Sequence, residues 1–232
     1  FLLDKAPVGL VDLFDKGEGK GARNWMMLGG LWFCVAATLG FLQTWLRYDA
    51  TALDSLSSVG WSYNADALAQ VTDLVLVWGG FGMVLIGAGL VIQSRVAGAP
   101  LASEANATLV AFAWSVLILV NVLISIFIDV GRFEQTLFNL IFAALAGALL
   151  LNHLLTLADR GEGQPIEIPS WMLILGHTAL VWGLLANAFG HFTSNTQMEW
   201  ISSIVVSGWF PLSLVLAVIT YSVAKSSGSP IW

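Results

Sequence analysis

Three histidines are the only imidazoles in the 232-residue chain. All three fall inside apolar stretches, where a polar or ionisable side chain is costly and is a functional hypothesis by default. His177 and His191 stand fourteen residues apart in one such stretch. At about 1.5 Å per residue they are about 21 Å apart along a helix, and at about 100° per residue they lie within about 40° of one face. That is the arrangement by which b-type cytochromes stack two haems along one helix. Each haem needs a second axial ligand from another helix. His153 lies some way before the end of the preceding apolar stretch, and antiparallel neighbours would hold it and His177 at similar depth, about 9–10 Å from one membrane surface. Spacing therefore offers His153 and His177 as an axial pair for haem b, with His191 as a third candidate ligand that has no histidine partner. The other reading, that all three are hydrogen-bonded structural residues of a bundle, stays open on spacing alone.

Little else in the sequence could do chemistry. There is no pair of carboxylates set for acid–base work, no Cys/His metal spacing, no Ser/His/Asp set and no glycine-rich phosphate loop after a strand. No catalytic residue and no metal site beyond the haem reading is expected, and the chain by itself is not expected to be an enzyme. Asp73 and Asp129 fall at the ends of apolar stretches, where a solvated role is expected. Asn121, Asn139, Asn152 and Asn187 are expected to tie helices together by hydrogen bonds. The single cysteine, Cys34, reads as a small packing residue and excludes an internal disulfide.

The elements that must position the histidines are plain from hydropathy. Six apolar runs, Trp25–Leu46, Asp73–Ser94, Thr108–Ile128, Leu137–Leu157, Trp171–Phe192 and Ile201–Ala224, each approach the roughly 20 residues a helix needs to cross a bilayer. Helices satisfy their own backbone groups in lipid, so the expected fold is all-α, a polytopic protein with six transmembrane helices. Residues 57% hydrophobic, 10% charged and a mean hydropathy of +0.81 agree with this. The net charge of −6 comes from loops and helix ends, and no basic stripe suggests nucleic acid as a partner. The expected division is a cytoplasmic segment 1–24, a transmembrane domain 25–224 and a tail or linker 225–232. Residues 1–24 lack the hydrophobic core of a signal peptide, and Pro7–Phe14 could lie on the membrane as a short amphipathic helix.

Charge sets the expected orientation. Lys5, Lys16, Lys20, Arg23, Arg95, Arg160 and Lys225 fall on one side and only Arg47 and Arg132 on the other, which predicts a cytoplasmic N-terminus. The expected setting is the inner membrane of a bacterium or archaeon. Trp25, Trp45, Trp171 and Trp200 read as interfacial belt residues. The loop Tyr48–Thr72 has the spacing for a short surface helix over the mouth of the bundle. A helix is expected to start at Ser103, and Pro169 to set the first turn of the fifth. Gly79, Gly80, Gly82, Gly87 and Gly89 crowd the second run, where small residues let helices approach closely.

The order of features resembles one family. Helix two ends in Gly87-Ala-Gly-Leu90; Gly98-Ala-Pro-Leu-Ala-Ser-Glu104 then leads into a helix carrying Ala111-Phe-Ala-Trp114. Helix six ends in a tyrosine-bearing turn and Gly228-Ser-Pro-Ile-Trp232. The pattern is similar to helices one to six of subunit I of the haem–copper oxidase superfamily, in its cbb3-type and nitric oxide reductase branches. It covers roughly residues 25–232, about half of such a subunit. The family's low-spin haem histidine in helix two aligns with Asp73, and the copper-ligating Gly-His pair of helix six with Ser207-Gly208. Neither aspartate nor glycine replaces an imidazole on those metals. The resemblance thus implies a scaffold without redox centres, packed with other membrane subunits in a respiratory or photosynthetic electron-transfer complex. A b-type cytochrome with haem at His153/His177 is the alternative. A transporter is a third reading, with only Pro211 available to break a span.

Overall fold

A computed structural model describes residues 17–52, 54, 65–127 and 131–229. The segment Pro7–Phe14, residues 53 and 55–64, Asp129 and the final Pro230–Trp232 lie outside the described residues. Among those described there is no strand. Six helices are long and apolar enough to cross a membrane: α1 (Lys20–Tyr48), α2 (Ala65–Leu74, then Val75–Phe81 and Gly82–Ala97), α3 (Glu104–Phe127), α4 (Arg132–Ala158), α5 (Ile168–Thr193) and α6 (Thr196–Ile204, then Val205–Trp209 and Phe210–Ser227). They outrun the apolar runs because polar first and last turns continue the helix beyond hydrocarbon. The expected domain start at residue 25 thus lies inside α1. Ser103 caps α3 as expected, its hydroxyl accepting from Asn106 N at 3.1 Å, and Pro169 sits in the first turn of α5.

Consecutive helices are antiparallel, so α1, α3 and α5 begin at one face, called here the near face. Glycines set the distance between α1 and α2. A Cβ on Gly29 would stand 2.7 Å from Val84 Cγ2 and 3.0 Å from its backbone nitrogen, and one on Gly87 would stand 3.0 Å from the Ala22 carbonyl. Gly79 and Gly80 likewise lie against Trp32 and Phe33. The crowding of glycine in the second run is therefore a packing device. Between α5 and α6, Gly183 against Val206 and Gly176 against Ser213 do the same.

Glu104, the first residue of α3, caps a different helix. Its two carboxylate oxygens accept from Gly19 N and Gly21 N of the α1 start, each at 2.7 Å. From there α1 and α3 run parallel, joined by Asn24 Nδ2 to Thr108 Oγ1 (3.2 Å), Trp25 Nε1 to the Ala107 carbonyl (2.9 Å) and Trp32 Nε1 to Ser115 Oγ (2.8 Å). Trp25 is fully buried, which corrects its reading as a belt residue: its N–H finds a carbonyl inside the bundle rather than the interface. Trp45, Trp171 and Trp200 are exposed, as a belt requires.

Two helices widen in mid-span. Over Val75–Phe81 and Val205–Trp209 the backbone takes π-helical turns, with Gly82 N donating to the Val77 carbonyl and Phe210 N to the Val205 carbonyl. Each has an identifiable cause of the kind that distorts helices. In α2, Trp114 Nε1 of α3 donates to the Trp78 carbonyl at 3.2 Å. In α6 the wide turn directly precedes Pro211, whose ring would otherwise press on the carbonyl four residues back. Pro211 therefore does not interrupt α6.

Beyond the far end of α1, the Thr51 hydroxyl and amide both donate to Asp49 Oδ1, at 2.7 and 2.9 Å. These bonds hold the Asp49 carboxyl below the usual carboxylate range. The expected surface helix over the far mouth falls mostly outside the described residues. Its C-terminal part, from Ala65, is the first turn of α2 itself.

Candidate functional site: a buried histidine pair

His153 on α4 and His177 on α5 meet in the near half of the bundle. Both side chains are fully buried, with ring centroids 4.5 Å apart and planes inclined by 51°. The equal depth expected from spacing is what brings them together. His177 Nδ1 lies 2.8 Å from the Leu173 carbonyl one turn earlier. A carbonyl can only accept, so Nδ1 carries the proton and Nε2 of the neutral ring presents its lone pair. That Nε2, and both nitrogens of His153, find no hydrogen-bond partner in the protein. Phe210 of α6 closes the far side of His177, edge-on at 5.7 Å.

The pair does not fit a haem between its rings. Metal–imidazole bonds of about 2.0–2.1 Å on opposite sides of an iron would set the ring centres about 6 Å apart, with a macrocycle between them. At 4.5 Å and fully enclosed, these rings leave no such slot.

His191 is elsewhere, at the far end of α5. Its Nδ1 stands 3.4 Å from Glu199 Oε1, in contact but off the hydrogen-bond direction. The same oxygen receives Arg132 Nη1 at 2.7 Å. One carboxylate thus joins the starts of α4 and α6 to the end of α5. Gly190 makes this approach fit, since a Cβ there would stand 2.9 Å from Glu199 Cγ and 3.0 Å from Glu199 N. Arg132 is half-exposed, and an exposed pair of this kind contributes at most about 1 kcal/mol. The third histidine is a structural contact, and nothing places it with the buried pair.

Three of the four asparagines join separate segments, as expected. Asn152 trades two hydrogen bonds with the backbone of Ser103, accepting at 3.1 Å and donating at 2.9 Å. Asn187 Nδ2 donates to Asn139 Oδ1 (3.3 Å), and Asn187 Oδ1 accepts from Ser202 Oγ (3.2 Å), a string across α4, α5 and α6. Asn121 departs from expectation, since its bond is to Ser125 of its own helix. Asp73 is exposed on α2, in keeping with a solvated role. Asn187→Ala removes both links of the string and is expected to lower stability by about 1–2 kcal/mol. Reversible unfolding in mixed micelles measures this, and a change indistinguishable from zero would show that the string carries no net energy.

Two further buried side chains lack partners in the protein: both amide atoms of Gln93 on α2 and the Ser170 hydroxyl on α5. Sequence reasoning passed over both, because a glutamine or serine near a helix end looks solvated until its neighbours are known. Separately, the two wide turns of α2 and α6 face each other across a cavity of about 200 Å³ lined by Val77, Trp78, Phe81, Val206 and Phe210. The polar side chain there is Ser207, whose hydroxyl is already given to the Ser203 carbonyl at 2.6 Å.

Helix number, length and the enclosed polar pair define the class: a polytopic α-helical integral membrane protein compatible with a lipid bilayer. No family model, no curated protein and no solved structure matches the chain.

Proposed function

We propose that this chain is a non-catalytic subunit of a larger membrane assembly, acting by packing against other membrane polypeptides. The observation that carries the reading is the outward face of α1. Only 22% of its apolar span is buried, the smallest share of the six helices. A helix facing lipid alone gains from bulky aliphatic side chains along that face. Here, between the exposed Met27 and Phe41 of the same face, Gly30, Cys34, Ala37 and Thr38, together by their spacing, are exposed in successive turns, and the space beyond Gly30 is open. Small residues at such positions let a second helix approach closely. The Thr38 hydroxyl is satisfied by the Cys34 carbonyl at 3.0 Å, so the face offers packing without an unmet polar group. The resemblance of helices two, three and six to oxidase subunit I supports an electron-transfer complex as the assembly. The charge bias supports a cytoplasmic near face.

Cys34 supplies the test, being the sole thiol and exposed on that face. A thiol-anchored photocrosslinker at Cys34 in native membranes is expected to join the chain to one discrete, different polypeptide. Gly30→Leu with Ala37→Leu should abolish that adduct and release the chain from its complex on native gels, leaving the fold intact because both side chains enter open space. Adducts with lipid alone would overturn the reading. So would reduction of oxygen or nitric oxide by the purified, cofactor-free chain.

A further inference from the structure

The two wide turns of α2 and α6 shape one cavity from opposite sides, and each is fixed from within the protein. Trp114 Nε1 holds the Trp78 carbonyl in α2 at 3.2 Å, and the wide turn of α6 leads into Pro211, which has no N–H to donate. About one turn nearer the near face the two helices approach each other, where a Cβ on Gly89 would stand 3.7 Å from Leu214 Cδ2. Toward the far face they part, and the cavity of about 200 Å³ lies between the turns. Gly82, Val206 and Phe210 are buried at its floor, whereas Val77, Phe81 and Ser207 are exposed at its rim. The cavity therefore leads from the bundle interior out to the lipid-facing surface.

We propose that this cavity binds one acyl chain of a membrane phospholipid, at a site independent of the packing face of α1. Depth selects the occupant first. Both turns lie at least about 10 Å from either end of the spans Leu68–Ala97 and Thr196–Ser227, inside a hydrocarbon core about 30 Å thick. Acyl chains reach that depth and their headgroups do not.

The lining selects the same occupant. Ser207 is the only hydroxyl, amide or charged side chain among the lining residues, and its hydroxyl is given to the Ser203 carbonyl at 2.6 Å. The Trp78 ring is turned inward, stacked on Phe142 at 5.5 Å. A buried water needs two to four polar partners, more than these side chains offer. Size excludes a larger guest. An apolar cavity of about 150 Å³ holds a benzene ring, so about 200 Å³ takes about six to eight carbons of a chain, whereas a helix about 10 Å across does not enter. Since neither wide turn relies on a guest for its shape, the chain meets a slot already formed, as small-molecule sites usually are. Wide turns of this kind recur at functional sites, and here two of them open onto lipid together.

The test uses the full chain in phosphatidylcholine vesicles containing a small fraction of phosphatidylcholine with a diazirine near the methyl end of one acyl chain. After photolysis, peptide mass mapping locates the adducts. Labelling at residues 77–85 and 206–211 is expected to exceed that at Val116 and Leu119, exposed at mid-span on α3, by at least threefold. Ser207→Leu and Val77→Phe, which narrow the mouth from opposite walls at exposed positions, should each bring cavity labelling down to the α3 level and leave α3 labelling unchanged. Wild-type cavity labelling no higher than that of α3 would overturn the proposal, and this comparison needs no variant to fold. Labelling that persists in both variants would equally do so, since the adducts would then lie on the outer surface. Repeating the experiment in native membranes fed a diazirine fatty acid tests the remaining occupant. Loss of the cavity adducts there would mean that a neighbouring polypeptide covers the mouth, and the lipid assignment would fall.

Discussion

Trp114→Ala is expected to destabilise the bundle by about 3–5 kcal/mol, the range for deleting a buried aromatic ring, and to lower the unfolding midpoint by about 10 °C. Trp114 is fully buried and its ring meets three others: Phe142 of α4 at 4.7 Å, Trp25 of α1 at 5.7 Å and Trp78 of α2 at 5.9 Å. Losing it opens a cavity where four helices converge. It also frees the Trp78 carbonyl in the wide turn of α2, deep where no water replaces the lost donor. Trp114→Phe weights the second effect, keeping a six-membered ring in the cluster while removing the N–H with the rest of the indole. Its expected cost is about 1–3 kcal/mol, that of leaving one buried acceptor unmet. Denaturant titration in mixed micelles, followed by far-ultraviolet circular dichroism, compares the three proteins. An alanine variant within about 1 kcal/mol of wild type would mean that the cluster fills space without holding the helices together.

What was legible in the sequence was set by solvent. Lipid demands long apolar helices, so hydropathy alone places six spans. Alternation of those spans in turn places His153 and His177 at one depth. Ser103 and Pro169 were legible for another reason, since capping and first-turn preferences act within a few residues. What stayed hidden depends on which helices touch. Trp25 near a span end satisfies the belt pattern as well as the buried one, until Ala107 of α3 is found 2.9 Å from its N–H. The wide turn of α2 has no proline to announce it and follows from a tryptophan 36 residues later in the chain. Two histidines at one depth could sit either side of a macrocycle or against each other. Only the 4.5 Å between the ring centroids decides between them.

Glu104→Gln should be nearly as damaging as Glu104→Ala, an outcome that size and polarity alone would not suggest. Both oxygens of Glu104 accept, one from Gly19 N and one from Gly21 N, each at 2.7 Å. A carboxamide keeps one acceptor but turns an NH2 group toward the other backbone N–H, setting donor against donor. The residue is only 8% exposed, so water has little room to repair the clash. No local residue can take over the cap. Gly19 has φ +76°, in the left-handed region that favours glycine. A Cβ at Gly21 would meet Ala107 Cβ at 2.6 Å and Glu104 Oε2 at 2.9 Å. The start of α1, with its positive dipole end and unmet N–H groups, thus depends on one carboxylate brought by α3. Hydrogen bonds to a charged group contribute about 1.5–3 kcal/mol each, so Glu104→Ala is expected to cost about 3–5 kcal/mol and Glu104→Gln at least half of that. Unfolding in mixed micelles gives the totals, and protease accessibility at Lys20 and Arg23 reports fraying of the first turn. Wild-type stability in the glutamine variant would show that one accepted bond suffices and that the second oxygen contributes nothing to the α1–α3 junction.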